Sequence, residues 1–119
     1  MFKEIVYDGA RPIDGYGPGF FRVAGVVLRG PQLIWPGGTQ DWAGLADPEA
    51  LLAFGGAVDV LFIGTGAELR PLTPALRERL EAAGLGVEAM STPSAARTYN
   101  VLLAEGRRIA AALIPVGEA

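Results

Sequence analysis

The stretch of residues 58–63 constrains the fold more than any other part of this chain. It carries almost no polar residue on either face, which is typical of a strand covered on both sides in a parallel or mixed sheet. The glycine loop Gly64-Thr65-Gly66 follows directly, and Thr73 and Pro74 then have the types preferred at the N-cap and first position of a helix. A strand, a loop and a helix in this order predict an α/β unit whose strand lies inside the sheet.

The same stretch partly matches a dinucleotide-binding fingerprint, in which glycines bring the backbone and a helix N-terminus close to a pyrophosphate. Glu88 supplies an acidic residue about 20 positions after the loop. Two requirements are missing, because Leu69 stands where a third glycine would allow close helix–strand packing and residues 70–72 separate the loop from the helix. We therefore predict a tight βα turn whose glycines supply positive φ, with no bound nucleotide and no cofactor.

The second half of the chain alternates helices and strands. The helix that follows Thr73 ends before Gly84, with Leu80 on its apolar face and Arg77 pairing with Glu81 on its outer face. Further along we predict a strand over 85–90, a helix capped by Thr92-Pro93 with Tyr99 in its apolar stripe, and a last strand over 108–114.

The first half is richer in turn residues. We predict a strand over residues 4–8, a turn-rich loop over 14–19 and one long strand over 20–28, which Arg29-Gly30-Pro31 joins to a returning strand over 32–35 in a hairpin. Asp47-Pro48 predicts the start of a short helix that ends at Gly55-Gly56. The whole chain, residues 1–119, is predicted to form a single three-layer α/β domain.

Composition excludes several classes of function. The 119 residues include neither cysteine nor histidine, so thiolate or imidazole catalysis and the usual zinc sites are excluded. The net charge is −3 and Arg107-Arg108 is the only cluster of basic residues, which argues against a nucleic-acid partner. The apolar runs are short and the N-terminus lacks the pattern of a secretory signal, so we expect a cytoplasmic protein without a membrane span.

Four segments resemble the signature of a small family of uncharacterised prokaryotic proteins, a domain of unknown function. The similarity extends from about Ile5 to Val116, and the segments occur in the family's order and with nearly its spacing. The segments are Gly15-Tyr-Gly-Pro-Gly-Phe20, Ile63-Gly-Thr-Gly66, Val87-Glu-Ala-Met-Ser-Thr92 and Arg97-Thr-Tyr-Asn-Val-Leu-Leu103.

The resemblance implies an α/β fold with a central mixed sheet of five strands, one antiparallel to the rest, and an additional β-hairpin layer. The family's mitochondrial relative is an assembly factor of respiratory complex I, and the family has no established enzymatic activity. The resemblance thus favours a non-enzymatic interaction or assembly protein that binds a protein partner and lies at the inner membrane through that partner.

Any cleft is expected at the carboxyl ends of the parallel strands, where loops converge and helix N-termini point their amides. This reasoning, with the arginine-threonine-tyrosine-asparagine motif, selects the candidate cleft or partner-binding residues Gly64, Thr65, Gly66, Thr92, Arg97, Thr98 and Asn100. With no nucleophile–base pair and no metal ligands, we predict no catalytic residue here. The alternative function is a protein that binds a small anion, or an unrecognised enzyme, with Arg97 clamping the anion.

Two alternatives stay open at this point. Arg97 and Asn100 either recognise a partner or have no role beyond the fold, in which case they lie on a solvated helix face or form hydrogen bonds to a neighbouring loop. On the helix, Asn100 lies at the edge of the apolar stripe and Arg97 lies roughly opposite it. Trp35 and Trp42 bracket Pro36-Gly-Gly38, so one indole either lies at the mouth of a cleft or packs over the hairpin.

Overall fold

The computed structural model describes residues 11–117, so the strand predicted over residues 4–8 lies outside the described residues. The described part contains strands, one 3-10 turn (Gly44–Ala46) and α-helices. The strands are β1 (Ile13–Gly17), β2 (Phe20–Val23), β3 (Val26–Arg29), β4 (Gln32–Trp35), β5 (Gly38–Asp41), β6 (Val60–Thr65), β7 (Gly86–Met90) and β8 (Ile109–Ile114). The α-helices are α1 (Glu49–Leu52), α2 (Pro74–Ala82) and α3 (Thr92–Ala104).

Five strands form the main sheet, in the order β5-β4-β8-β6-β7. Strand β6 pairs in parallel with both β8 and β7, whereas β4 is antiparallel to β8 and to β5. Strand β4 therefore runs opposite to the other four, which confirms the mixed sheet that the family resemblance implies. The apolar strand predicted over residues 58–63 is the interior strand β6, as its sequence predicted. Its bounds were wrong by two residues, because Gly64 and Thr65, expected in the loop, pair with β7 and β8 as the end of the strand.

The additional layer is a three-stranded antiparallel sheet, β1-β2-β3, and not a simple hairpin. Two predictions were wrong here, because residues 13–17 are strand where a loop was expected and the predicted strand over 20–28 is broken into β2 and β3. The break is a two-residue turn at Ala24 (φ 51°) and Gly25 (φ 81°), the left-handed pair typical of tight hairpins. Alanine rarely adopts a positive φ, so the sequence signal for this turn is weak.

The predicted hairpin between residues 20–28 and 32–35 was also wrong. Strand β4 belongs to the main sheet, where it pairs with β8 on one side and with β5 on the other. The Pro36-Gly37 turn connects β4 to β5. The physical reason is burial, because Leu33 and Ile34 are both at most 2% exposed on opposite faces of β4. Only a strand covered on both faces, as in the main sheet, can bury both.

Helix α2 confirms its predicted start and end. The Thr73 side chain accepts a hydrogen bond from the Leu76 amide at 3.2 Å, and Gly84 just past the helix has φ 89°. Arg77 and Glu81 form the expected ion pair, with N and O 3.9 Å apart. Local signals therefore determine this helix.

Helix α3 begins one residue earlier than predicted. Its N-cap is Ser91, whose hydroxyl accepts from the Ser94 amide at 3.4 Å, while Thr92 is already helical and turns its side chain into the protein. Helix α1 follows Asp47-Pro48 as expected, with the Ala50 amide donating to the Asp47 carboxylate at 3.4 Å.

The main sheet separates two apolar cores. Helices α1 and α2 cover one face, where Leu80 of α2 belongs to the same core as Leu61 and Ile63 of β6. Helix α3 and the small sheet cover the other face, where Tyr99 of α3 belongs to the same core as Phe62 of β6. The resulting layers are helices, main sheet, and helix with small sheet, which fits the predicted α/β architecture.

Candidate functional site

Gly64 lies where β6 meets the first turn of α3, and the two backbones nearly touch. A Cβ atom placed on Gly64 would lie 2.9 Å from the Thr92 Cα and 2.8 Å from a methyl carbon of Leu113. The prediction that both glycines supply a positive φ was wrong for Gly64, which lies in β6, and only Gly66 has a positive φ, at 101°. Gly64 is therefore needed for close packing, whereas Gly66 is needed for the turn.

Thr92 joins three elements at this point. Its hydroxyl accepts from the Gly66 amide at 2.8 Å and donates to the Ile114 carbonyl at 2.6 Å, and its own amide donates to the Gly66 carbonyl at 2.7 Å. The side chain is fully buried. One threonine thus ties the carboxyl ends of β6 and β8 to the N-terminus of α3.

Thr65 holds the rest of the loop in a similar way. Its hydroxyl accepts from the Arg70 amide at 2.9 Å and lies 2.8 Å from the Glu68 carbonyl, to which it donates. The Met90 carbonyl is a second acceptor within reach, at 3.3 Å. Because Thr65 is only 4% exposed and these groups bond to one another, the loop gives no support to an anion site at Gly64-Thr65-Gly66.

Asn100 makes a two-way hydrogen bond to strand β1. Its side-chain amide donates to the Ile13 carbonyl at 2.8 Å, and its carbonyl oxygen accepts from the Ile13 amide at 2.8 Å. The Asn100 side chain makes the pair of hydrogen bonds that a residue of a neighbouring strand would make with Ile13. It therefore connects α3 to the small sheet and not to the glycine loop. No local pattern could identify this pair, because 87 positions separate the two residues.

Arg97 and Thr98 lie on other sides of α3. The Thr98 hydroxyl is 3.7 Å from the Met90 sulfur and is partly buried. Arg97 is exposed and, within residues 11–117, makes no hydrogen bond or ion pair. It shares its surface with Val101, one turn further along, which is 52% exposed. The seven predicted residues therefore divide into four groups. Gly64, Thr65, Gly66 and Thr92 form a buried set, Thr98 lies beside Met90, Asn100 bonds to strand β1, and Arg97 is exposed.

Tyr99 is the core residue that the helical pattern predicted. It is 0% exposed between α3, the small sheet and the main sheet. Burial raises the pKa of its phenol well above the ordinary value of 10.0. Among the described residues its hydroxyl has no hydrogen-bond partner.

A cleft of about 690 Å³ lies at the opposite end of the sheet from Gly64. Its wall is mostly apolar and includes Trp35 and Phe54, whose rings meet edge-on at 5.7 Å between centroids, with Arg107 and Arg108 among the polar lining residues. The sequence analysis did not predict this cleft, because it expected any cleft at the carboxyl ends of the parallel strands. The one sequence feature that pointed to it was Trp35 beside Pro36-Gly37. The Trp35 indole both lines the cleft and packs against Phe54.

Residues 11–117 also show no sign of a membrane-spanning helix or of a metal site. No helix there is long and apolar enough to cross a bilayer. No three histidine, cysteine, aspartate or glutamate side chains in that range come together as ligands for a metal ion.

Comparison with known proteins gives consistent relatives. An uncharacterized protein of Rhodobacter capsulatus is 54% identical over 114 residues, covering 96% of this chain and 92% of its own. "NADH dehydrogenase [ubiquinone] 1 alpha subcomplex assembly factor 3" of Danio rerio is 36% identical over 110 residues, covering 87% of this chain and 63% of its own. The chain thus matches somewhat less than two thirds of that assembly factor's length.

Solved structures agree with the fold. A protein of Bartonella henselae described as an outer membrane protein is 41% identical, with a TM-score of 0.82 over 91% of this chain and 97% of its own. A Mth938-like domain of Bordetella pertussis is 30% identical, with a TM-score of 0.83 over 100% of this chain and 94% of its own. The family described as "Protein of unknown function (DUF498/DUF598)" matches residues 13–114. With nearly the whole described chain inside that match, and the same fold in its relatives, this chain belongs to the DUF498/DUF598 family.

Proposed function

We propose that this chain is a non-enzymatic assembly protein that binds a protein partner in the biogenesis of respiratory complex I. The observation that carries the proposal is the match to complex I assembly factor 3, which covers 87% of this chain at 36% identity in the zebrafish protein. The polar groups at the Thr92 end are bonded to one another, so we place the partner contact on another part of the surface.

The proposed contact surface is the exposed side of α3 around Arg97. Arginine is enriched at the centres of protein interfaces, and Arg97 lies one helical turn from the exposed Val101. The surface is also independent of the fold, because Arg97 has no partner among the described residues. We place the protein in the cytoplasm, at the inner membrane through its partner, and expect no nucleic-acid partner.

A deletion strain of the native host tests the function. It should contain less assembled complex I and less membrane NADH:quinone activity, and the wild-type gene should restore both. Tagged protein crosslinked in cells should recover complex I subunits or other assembly proteins, identified by mass spectrometry. Normal complex I levels in the deletion strain would contradict the proposal.

A pair of arginine variants tests the surface. Arg97→Ala should lower recovery of the partner while the melting temperature stays within error, because alanine favours helix and no described contact is lost. The matched control is Arg79→Ala, which removes an exposed arginine from α2 on the other side of the sheet, where it pairs with Glu49. Equal recovery of the partner with both variants would show that the partner does not bind this side of α3.

A further inference from the structure

The cleft at the Trp35 end of the sheet has the size and lining of a small-molecule site. Its volume of about 690 Å³ lies within the range of roughly 300–1,000 Å³ that is usual for ligand pockets. The β4–β5 turn, the segment after α1, the start of β8 and the end of α3 line the cleft and leave it open to solvent, so regular elements hold several of its walls.

The wall favours a hydrocarbon chain over a peptide. Leu33, Trp35, Phe54 and Val58 contribute apolar surface, and few polar groups face the cleft. A peptide laid against this wall would leave amides without hydrogen-bond partners, at a cost that a hydrocarbon chain does not incur. The buried part of the ligand is therefore apolar.

The polar lining carries positive charge. Arg107 and Arg108 both line the cleft, and no aspartate or glutamate among residues 11–117 does so. The positive charge of the lining contrasts with the chain as a whole, which has 13 acidic and 10 basic residues. An anionic group is the complement of such a lining.

The two arginines are not equivalent. The Arg108 guanidinium donates to the Gly56 carbonyl at 3.1 Å and so helps hold the segment after α1 in place. The Arg107 side chain makes no hydrogen bond or ion pair within the described part of the chain. Its planar guanidinium is therefore available to bind a carboxylate through two parallel hydrogen bonds.

We propose that this cleft binds a small single-chain amphiphile with a carboxylate head group, its hydrocarbon chain against Trp35 and Phe54 and its carboxylate on Arg107. The site is separate from the proposed partner surface, since Arg97 is not among the cleft's lining residues.

The test uses the full chain of 119 residues and decanoate as the probe. Trp35 lines the cleft, whereas Trp42 is 5% exposed and donates its indole N–H to the Asp47 carbonyl at 3.1 Å, so tryptophan fluorescence reports on the cleft. Decanoate below its micelle concentration should give a saturable change with one molecule bound per chain in calorimetry. Trp35→Phe should remove most of the optical signal and leave the calorimetric stoichiometry in place.

Variants separate the head group from the chain. Arg107→Ala should weaken decanoate binding about tenfold, the effect of losing one charge-assisted contact, and should leave the weaker binding of neutral decanol unchanged. Ala53→Trp, which adds bulk at the lining, should abolish binding of both probes. Arg79→Ala and Arg97→Ala should bind decanoate like the wild type.

Three results would overturn the proposal. These are absence of saturable decanoate binding, equal affinities of wild type and Arg107→Ala for decanoate, and equal binding of decyltrimethylammonium. A dimer in analytical ultracentrifugation that Ala53→Trp dissociates would make the cleft an interface between copies, and would also overturn it.

Discussion

The two ends of helix α3 meet the sheet in opposite ways. At the N-terminal end Thr92 is fully buried and joins Gly66 and Ile114 through hydrogen bonds of 2.8 and 2.6 Å. At the C-terminal end Leu103 and Gly106 line an open apolar cleft. The polar end is closed because its donors and acceptors satisfy one another, whereas the apolar end stays open because the side chains around it do not fill the space.

This difference shows why a general rule selected the wrong end for an open cleft. Ligands of open α/β sheets usually bind beyond the carboxyl ends of the strands, and here Gly64 and Thr65 do lie there. The rule concerns where loops converge. It does not say whether the converging groups leave room for a ligand or bond to each other.

Gly64→Val should have the largest effect on stability. The added Cβ would meet the Thr92 backbone at 2.9 Å, and backbone cannot rotate away as a flexible side chain can. We expect a loss of about 3 kcal/mol in the free energy of unfolding, measured by urea titration. Gly15→Ala is the control, because a Cβ there has nothing within 4 Å. An unchanged midpoint for Gly64→Val would show that the closed end is not tightly packed.

Thr92→Val should come next, with a loss of about 2 kcal/mol. Valine keeps the shape of threonine but leaves the buried Gly66 amide without its acceptor and the Ile114 carbonyl without its donor. Thr92→Ser keeps the hydroxyl and should recover most of the loss. If the serine and valine variants melted at the same temperature, the hydrogen bonds would not be what closes this end.

Asn100→Ala should cost about 1–2 kcal/mol, since it removes both 2.8 Å hydrogen bonds to Ile13 but leaves that strand partly open to water. For a domain of this size this lowers the melting temperature by several degrees. In the Asn100→Ala variant, amide hydrogen exchange at Ile13 and its neighbours should become faster than in the wild type, and exchange in the main sheet should change less. Equal exchange in wild type and variant would contradict a tie between α3 and the small sheet.

Tyr99→Phe should change stability by less than about 1 kcal/mol at neutral pH, because the hydroxyl it removes has no partner among the described residues. Its effect should appear in alkali. The folded protein keeps the phenol protonated, whereas the unfolded chain releases this proton above its ordinary pKa near 10.0. The unfolded state then binds fewer protons, so stability falls as pH rises above about 10.

Tyr99→Phe should lessen that alkaline loss of stability, measured by urea titration at several pH values. Parallel curves for wild type and variant above pH 10 would contradict the burial of this phenol.

Ala53→Trp should have the smallest effect, within about 0.5 kcal/mol. Ala53 is exposed at the cleft, so the larger side chain enters existing space. Thermal melting is the measurement, and the comparison with Gly64→Val is direct, since both substitutions add bulk beside one end of α3. A severe loss in Ala53→Trp would mean that the cleft is as tightly closed as the Thr92 end.

Much of the fold could be predicted because its signals are local. Thr73 and Gly84 mark the ends of α2 through capping and a positive φ, and both signals involve only neighbours in sequence. The small sheet was harder, because its turn uses Ala24 at φ 51° and its first strand contains Gly15 and Gly17, which commonly mark loops. Of the candidate site, sequence reasoning named the residues but not which of them would bond to each other.

The sequence by itself determined the class of this protein. Apolar strands such as the one predicted over residues 58–63, helix starts such as Thr73-Pro74 and the four family segments specify an α/β member of DUF498/DUF598, because period, capping and motif are properties of adjacent residues. The tertiary structure alone decided that β4 joins the main sheet, that Asn100 bonds to Ile13 and that the cleft opens beside Trp35. Each of these depends on groups far apart along the chain, and only packing brings such groups together.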